Sequence, residues 1–231
     1  AFGAHSCGGA VFDDECEDFE ESFRTYYEIL MRPFRDYVLT AVAKLEDLDI
    51  GIVCPSHGPV LRKEGRRKIA QYREWAAAPV ADKPVVAIFY VSAHGNTKKL
   101  VDAVAEGIRE VGGEVEVLHV TEADVQDQRR AMESACGLMF ASPTFHRDVP
   151  RPMWETLALL STVKLSARSA AVFGSFGWSG EARKMIVQRL ESLRLHVCEE
   201  APIVKFTPTE DELARFREFG RLFVRRMCES R

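Results

Sequence analysis

The alternation of apolar and polar positions divides this chain of 231 residues into two parts. From residue 84 onward, short apolar runs alternate with longer segments in which apolar side chains recur at helical spacing. The apolar runs predict strands at residues 85–90, 114–119, 136–141, 169–175 and, in a shorter piece, near 196–205. The segments between them predict helices at 97–111, 123–134, 151–162, 179–194 and 209–229. We therefore expect a doubly wound α/β domain, with a five-stranded parallel sheet and helices on both faces.

The part before residue 84 has a mainly helical pattern. Apolar side chains recur near helical spacing between residues 18 and 47, and Pro33 indicates the start or a kink of a second helix there. Residues 63–75 predict a further helix, and residues 48–53 are a short strand candidate. The Ala- and Pro-containing stretch that follows predicts a linker at residues 79–83, between segment 1–78 and domain 84–231.

Composition narrows the classes of function. The net charge of −4 disfavours a nucleic-acid-binding protein, because such proteins normally carry a basic surplus. No apolar run approaches the roughly 20 residues that a membrane-spanning helix needs, and the first residues lack a signal-peptide pattern. The six cysteines are scattered without a C-x-x-C pair. This favours reduced thiols and a cytoplasmic location over a disulfide framework or a zinc site.

The segment after the first predicted strand has the chemistry of a phosphate site. The free N–H groups and the dipole of a helix N-terminus attract phosphate, hydroxyl side chains add donors, and glycine allows close approach. Neither a Walker motif nor a G-x-G-x-x-G motif is present. The segment resembles the S/T-x-x-G-N-T loop by which flavodoxin-like domains hold the phosphate of FMN; an ordinary strand-to-helix turn is the alternative. Its residues are Ser92, Ala93, His94, Gly95, Asn96 and Thr97.

Two further loops follow the third and fourth predicted strands, and both combine small residues with aromatic ones. A flavin ring needs a flat apolar wall and backbone polar groups for its polar edge. The candidate walls are Phe145, Phe176 and Trp178, for each of which ordinary core packing is the alternative. The loops comprise Ser142, Pro143, Thr144, Phe145, His146 and Arg147, and Ser175, Phe176, Gly177, Trp178, Ser179 and Gly180.

Four segments resemble the flavodiiron proteins, or A-type flavoproteins, which reduce O2 or NO. The sequences Ser-Pro-Thr at 142–144 and Phe-Gly-Trp-Ser-Gly at 176–180 resemble their flavodoxin module. The sequences at 1–5 and 54–59 resemble parts of their metallo-β-lactamase-like domain, which implies that His57 is an iron ligand in the intact protein. The resemblance implies a C-terminal part of such a protein, with a fragment of the metal-binding domain at 1–78 and a flavodoxin-like FMN-binding domain at 84–231.

The sequence also departs from the family pattern. The family's His-x-Glu-x-Asp-His cluster is absent, and a single imidazole cannot hold two iron ions. His146 and Arg147 stand where the family usually has small amide residues, and we expect a cation there to raise the flavin's reduction potential. For this chain alone we expect the flavin step without gas reduction, and no catalytic side chain other than the flavin itself.

The resemblance implies a route for electrons in the intact protein. A rubredoxin or a flavin reductase would reduce FMN, and a diiron centre would receive the electrons and reduce O2 or NO, in a head-to-tail homodimer. Three other interpretations remain open: a flavodoxin-like electron carrier, an FMN-dependent quinone reductase, and an interaction module that has lost its cofactor.

Overall fold

Two units, Ala1–Pro79 and Val80–Arg231, make up the chain. The computed structural model describes residues 1–5, 7–77, 85–165 and 168–229. The linker predicted at 79–83 lies outside the described residues.

The second unit is built on a parallel sheet. Its strands are β1 (Val85–Tyr90), β2 (Glu114–His119), β3 (Gly137–Ala141), β4 (Ser169–Phe176), β5 (His196–Cys198) and β6 (Ile203–Lys205). The spatial order is β2-β1-β3-β4-β5, with β6 also pairing with β4, and every pairing is parallel. The predicted doubly wound α/β fold is therefore confirmed.

The fifth position of the sheet differs from the prediction, because two short strands replace a single piece. Strand β5 pairs with the beginning of β4, at Ser169–Ala171, whereas β6 pairs with its end, at Gly174–Phe176. Pro202 precedes β6, and a proline cannot donate a ladder hydrogen bond. Because of this interruption, β6 is a separate strand with its own carboxyl end, after Lys205.

Helices cover both faces of this sheet. Alternate residues of β1 enter two cores: Val86 and Ile88 pack with α4 and α8, whereas Ala87 and Phe89 pack with α5, α6 and α7. Burial on both faces explains why the strands are continuous apolar runs. The helices are α4 (Asn96–Glu110), α5 (Val125–Ser134), α6 (Arg151–Leu159), α7 (Glu181–Ser192) and α8 (Glu210–Glu229).

Two glycines allow α4 and α8 to touch backbone to backbone. A Cβ atom on Gly107 would lie 1.9 Å from the Arg217 carbonyl oxygen, and one on Gly220 would lie 2.3 Å from that of Val104. Side chains at either position would force the helices apart. Because α4 begins directly after β1, this contact helps to fix the helix start at the carboxyl edge of the sheet.

The first unit is mainly helical, with α1 (Phe19–Tyr26), α2 (Arg35–Ala43) and α3 (Gly65–Ala76). A π-turn and a 3-10 turn that contains Pro33 separate α1 from α2, as the proline indicated. The strand candidate at 48–53 is wrong: among the described residues, Val53 forms only an isolated bridge with Leu61. The side chains of Leu48 and Ile52 are exposed, at 55% and 60%, whereas Val53 packs against the core of the first unit. Across the described residues, no helix combines the length and apolarity needed to cross a membrane.

The expectation of reduced thiols is wrong for one pair of cysteines. Cys7 and Cys16 form a disulfide, with their Cα atoms 5.3 Å apart. The chain reverses between them at Gly8, which has a φ of 56° that suits glycine. Spacing rules for cysteines do not detect such a turn. Among the described residues, the free cysteines are Cys54, Cys136, Cys198 and Cys228.

Candidate functional site

The phosphate loop, residues 92–97, forms the turn between β1 and α4. Gly95 caps the helix with a φ of 80°, a left-handed conformation that glycine adopts without strain. The Ser92 hydroxyl accepts a hydrogen bond of 3.3 Å from the Lys98 amide. Ala93, His94 and Gly95 are exposed. The first turn of a 15-residue helix therefore opens to solvent beside hydroxyl and glycine residues, which is the arrangement that attracts an anion.

Thr97 joins this loop to the end of β4. Its side chain is buried, and its Oγ1 lies 3.0 Å from the Oγ of Ser175, in a hydrogen bond that either hydroxyl can donate. Ser175 is the first residue of the third predicted loop, so two of the three loops are in direct contact.

The second loop, residues 142–147, ends in a tight turn. The backbones of Phe145 and Asp148 exchange hydrogen bonds of 3.0 and 2.8 Å, with His146 and Arg147 between them. Both central residues have positive φ, 50° and 64°, where turns of this kind normally carry Asn, Asp or Gly. Non-glycine residues in this conformation are strained, and such strain is concentrated at functional sites.

The third loop, residues 175–180, carries the most exposed aromatic side chain of the described chain. Trp178 is 93% exposed and Phe145 of the second loop is 41% exposed. Phe176 is half-buried, and its ring lies close to Gly180. Of the three candidate wall residues, Phe145 and Trp178 therefore present apolar area to solvent, whereas Phe176 partly covers its own loop.

An ion pair and a hydrogen bond tie the second loop to the first turn of α7, which directly follows the third loop. Arg147 Nε donates to Glu181 Oε1 over 3.1 Å, and the Ala182 amide donates to Thr144 Oγ1 over 3.4 Å. The hydrogen bond from the Ser179 side chain, and then the Arg147 guanidinium, hold the pKa of Glu181 below its usual value. Glu181 is thus a carboxylate, and it partly neutralises the cation of the second loop.

The strand ends themselves bring the loops together. The Val91 amide donates to the Ala141 carbonyl over 3.1 Å, which joins the ends of β1 and β3. A Cβ atom on Gly174 would lie 1.9 Å from the Ser142 carbonyl oxygen, so glycine is required where the ends of β3 and β4 meet. All three predicted loops therefore lie at one edge of the sheet, on adjacent strands.

One residue at this edge was not predicted from the sequence. Phe206 follows β6, its amide donates to the Phe176 carbonyl over 2.8 Å, and its side chain is 57% exposed. A Cβ atom on Gly177 would lie 3.5 Å from Phe206 Cε1, so the ring borders the third loop. The sequence does place an aromatic residue directly after a short apolar run. The prediction of a single strand piece near 196–205 did not separate that run as a strand with its own end.

The first unit places His57 beside His5. Their ring centroids are 5.4 Å apart, and the His5 ring also packs edge-on against Tyr26 at 4.9 Å. Gly58 makes this possible, because a Cβ atom there would lie 2.2 Å from the Ala4 carbonyl oxygen. Within the described residues, no group of three or more His, Cys, Asp or Glu side chains is positioned to hold a metal ion. These residues do not by themselves fit a diiron centre, which needs several more ligands.

Comparison with known proteins adds independent information. The model of the flavodoxin family matches residues 88–219. Type A flavoprotein fprA of Rhodobacter capsulatus is 36% identical over 225 residues, covering 95% of this chain and 52% of that protein. Flavo-diiron protein FprA2 of Clostridium acetobutylicum is 32% identical over 230 residues, covering 96% of this chain and 58% of that protein. The chain therefore spans little more than half the length of these curated relatives.

A solved structure agrees with the sequence matches. The metal-soaked flavodiiron core of Flv1 from a Synechocystis species aligns with a TM-score of 0.62 and 32% identity. The alignment covers 100% of this chain and 57% of that one. Both units, and not the sheet domain alone, thus have a counterpart in the known core.

Proposed function

This chain belongs to the type A flavoproteins, or flavodiiron proteins, and carries their flavodoxin domain, and from that premise we propose that FMN bound at the carboxyl edge of its sheet makes it an electron-transfer module. The observation that carries the proposal is a pair of side-chain contacts at this edge: Thr97 bonds to Ser175, and Arg147 bonds to Glu181 at the start of α7, directly after the third loop. These two links hold a phosphate-type helix start and two aromatic loops on adjacent strands.

The residues at this edge fit a phosphorylated flat ring. We assign the phosphate to residues 92–97, because a helix N-terminus favours an anion. We assign the ring to the loops 142–147 and 175–180, where Phe145 and Trp178 offer exposed apolar faces. The flavin supplies the uptake and release of electrons, while the protein binds, orients and tunes it.

The activity of the whole protein is a broader proposal. By family, a rubredoxin or a flavin reductase delivers the electrons, a diiron centre receives them and reduces O2 or NO, and the intact chain forms a head-to-tail homodimer in the cytoplasm. His57 is the candidate iron ligand in this chain. Since the described residues do not assemble a metal site, we assign the electron-transfer step to this chain and not the gas reduction.

Titration with flavins tests the proposal directly. We expect the purified chain to quench the fluorescence of FMN on binding and to bind riboflavin more weakly, because riboflavin lacks the phosphate. Binding of neither compound would refute the assignment of the site. Robust consumption of O2 or NO by the iron-supplemented chain, above that of free FMN, would contradict the restriction to electron transfer.

A second candidate function is a free electron carrier. It rests on the match of the flavodoxin model to residues 88–219, which lie within the second unit alone. The carrier would exchange electrons with a redox protein without NADH, whereas a quinone reductase would oxidise NADH in the presence of a quinone. Steady NADH oxidation by the FMN-loaded chain would favour the quinone reductase.

A further inference from the structure

Phe206 combines two features that are unusual for a phenylalanine. Its side chain is 57% exposed, and its φ is 64°, in the left-handed region that bulky residues rarely adopt. Both features are unfavourable in isolation, so neither is explained by the local preference of the residue.

Core packing does not account for this conformation. Residues two apart along a strand share a face, and Val204 of β6 is buried in the core between the sheet and α8. A regular continuation of β6 would direct Phe206 towards the same core. The positive φ instead turns the chain at this residue, and the ring stays near the surface.

The contacts of Phe206 lie in the third loop. Its amide bonds to the Phe176 carbonyl, and its ring lies over Gly177, where an added Cβ would be 3.5 Å away. Lys205 Nζ also lies near this ring, 5.4 Å from its centroid. Farther along, Thr209 and Glu212 exchange hydrogen bonds that cap α8 and fix the exit of the chain.

Strain in the second unit is concentrated at this edge of the sheet. Among its described residues, four that are not glycine have positive φ: His146, Arg147, Arg194 and Phe206. Arg194 follows Leu193, the C-cap of α7, at the position where such a conformation commonly terminates a helix. The other three border the second and third loops. The residues with a left-handed backbone conformation that do not terminate a helix therefore lie where we assign the flavin.

We propose that Phe206 is a positioning residue for the flavin ring and acts through Gly177. This inference rests on the proposed FMN site and adds the fourth strand end to it. Glycine is the most flexible residue, and its peptide groups offer the N–H and C=O that can meet the polar edge of the ring. The Phe206 ring on one side and its amide bond to Phe176 limit the conformations of those peptide groups before the flavin binds.

The test compares three variants and two ligands. We expect Phe206→Ala to weaken binding of FMN and of riboflavin by the same factor, about 2- to 10-fold, because the loop must then be ordered on binding. We also expect a shift of the flavin's midpoint potential, since oxidised and reduced rings use the loop's polar groups differently. Phe206→Tyr should restore both properties. Substitution of Ile203, an exposed apolar residue of the preceding strand β6, by alanine (Ile203→Ala) should change neither.

The outcomes separate this inference from the proposed function. If the wild-type chain binds no flavin, the proposed function fails; if it binds FMN and Phe206→Ala matches it in affinity and potential, only the inference fails. A lower melting temperature with an unchanged potential would assign a purely structural role and would also overturn it. Should the alanine variant not fold, Phe206→Leu keeps apolar bulk without the ring and faces the same criteria.

Discussion

The hydroxyl groups of Thr97 and Ser175 share a buried hydrogen bond of 3.0 Å, although 78 residues separate them along the chain. One residue lies in the first turn of α4 and the other near the end of β4. The bond therefore joins the candidate phosphate loop to the candidate ring loop. Removal of either hydroxyl leaves the other buried, at 1% and 8% exposure, without this partner.

Substitution of Thr97 tests the phosphate assignment. A hydrogen bond to a charged group is worth about 1.5–3 kcal/mol, so Thr97→Ala should weaken FMN binding roughly 10- to 100-fold. Riboflavin, which lacks the phosphate, should lose much less affinity. The conservative variant Thr97→Ser should retain most of the FMN affinity. Fluorescence titration gives all of these constants, and an equal loss for both ligands would remove Thr97 from the phosphate site.

The link between Thr97 and Ser175 has its own test. Loss of one partner of a buried hydrogen bond costs about 1–3 kcal/mol of stability. We expect Thr97→Val and Ser175→Ala each to destabilise the second unit, and the double variant to be less destabilised than the sum. Denaturant unfolding of the flavin-free chain measures this coupling. Strict additivity would mean that the two hydroxyls do not interact in solution.

Arg147 and Glu181 should shift the flavin's potential in opposite directions. A cation near the ring stabilises the negative charge gained on reduction, so Arg147→Ala should lower the midpoint potential and Glu181→Gln should raise it. Solvent screens exposed charges strongly, so each shift should be small, on the order of 10 mV for a two-electron couple. Redox titration of the FMN-bound chain measures the shift, and no change in Arg147→Ala would place this side chain away from the ring.

The effect of Glu181 on the potential should not change with pH near neutrality, because the carboxylate is ionised there. Its pKa is held below the usual value by Ser179 and Arg147. Because the pKa is lowered, the stability that the carboxylate contributes is fully present above the unfolded-state pKa. It is lost as the pH falls through the folded-state pKa. Glu181→Gln should therefore shift the potential equally at about pH 6 and about pH 8, well above both values. A shift that changes between these two conditions would contradict an ionised Glu181.

Gly107→Ala should destabilise the second unit. The new methyl group would meet the Arg217 carbonyl oxygen at 1.9 Å and force α4 away from α8. Overpacking of this kind costs about 1–3 kcal/mol, more than alanine gains from its higher helix propensity. Lys99→Ala, an exposed change on the same helix, should stay within about 0.5 kcal/mol of the wild type. Thermal unfolding of the two variants decides between a tight and a loose helix pair.

Reduction of the Cys7–Cys16 bond should destabilise the first unit alone. Closing a loop with a sequence separation of 9 restricts the unfolded chain and is worth about 2–3 kcal/mol. We expect a thiol reductant, or Cys7→Ala with Cys16→Ala, to lower the unfolding transition of that unit. FMN affinity serves as the control, because the proposed site lies in the other unit. An unchanged transition would show that the bond contributes no stability.

The apolar periodicity of the second half determined the strands and helices of the sheet domain to within a few residues. Strands such as β1 are buried on both faces and are therefore apolar throughout, which makes them easy to find and to place in a parallel sheet. Once the order of strands was established, the phosphate loop and the two aromatic loops had to follow neighbouring strand ends. Part of the family resemblance came from these loops, and the rest came from residues 1–5 and 54–59 of the first unit.

Other features depend on distances between residues that are remote in sequence. The pairing of Cys7 with Cys16, the split of the fifth strand position and the contact of Phe206 with Gly177 leave no periodic signal, because each arises where the chain departs from regular structure. The buried bond from Thr97 to Ser175 is likewise set by the packing of α4 on the sheet. Local patterns thus determined which elements form, whereas the close packing of those elements decided which polar and aromatic groups meet, since that depends on the whole fold.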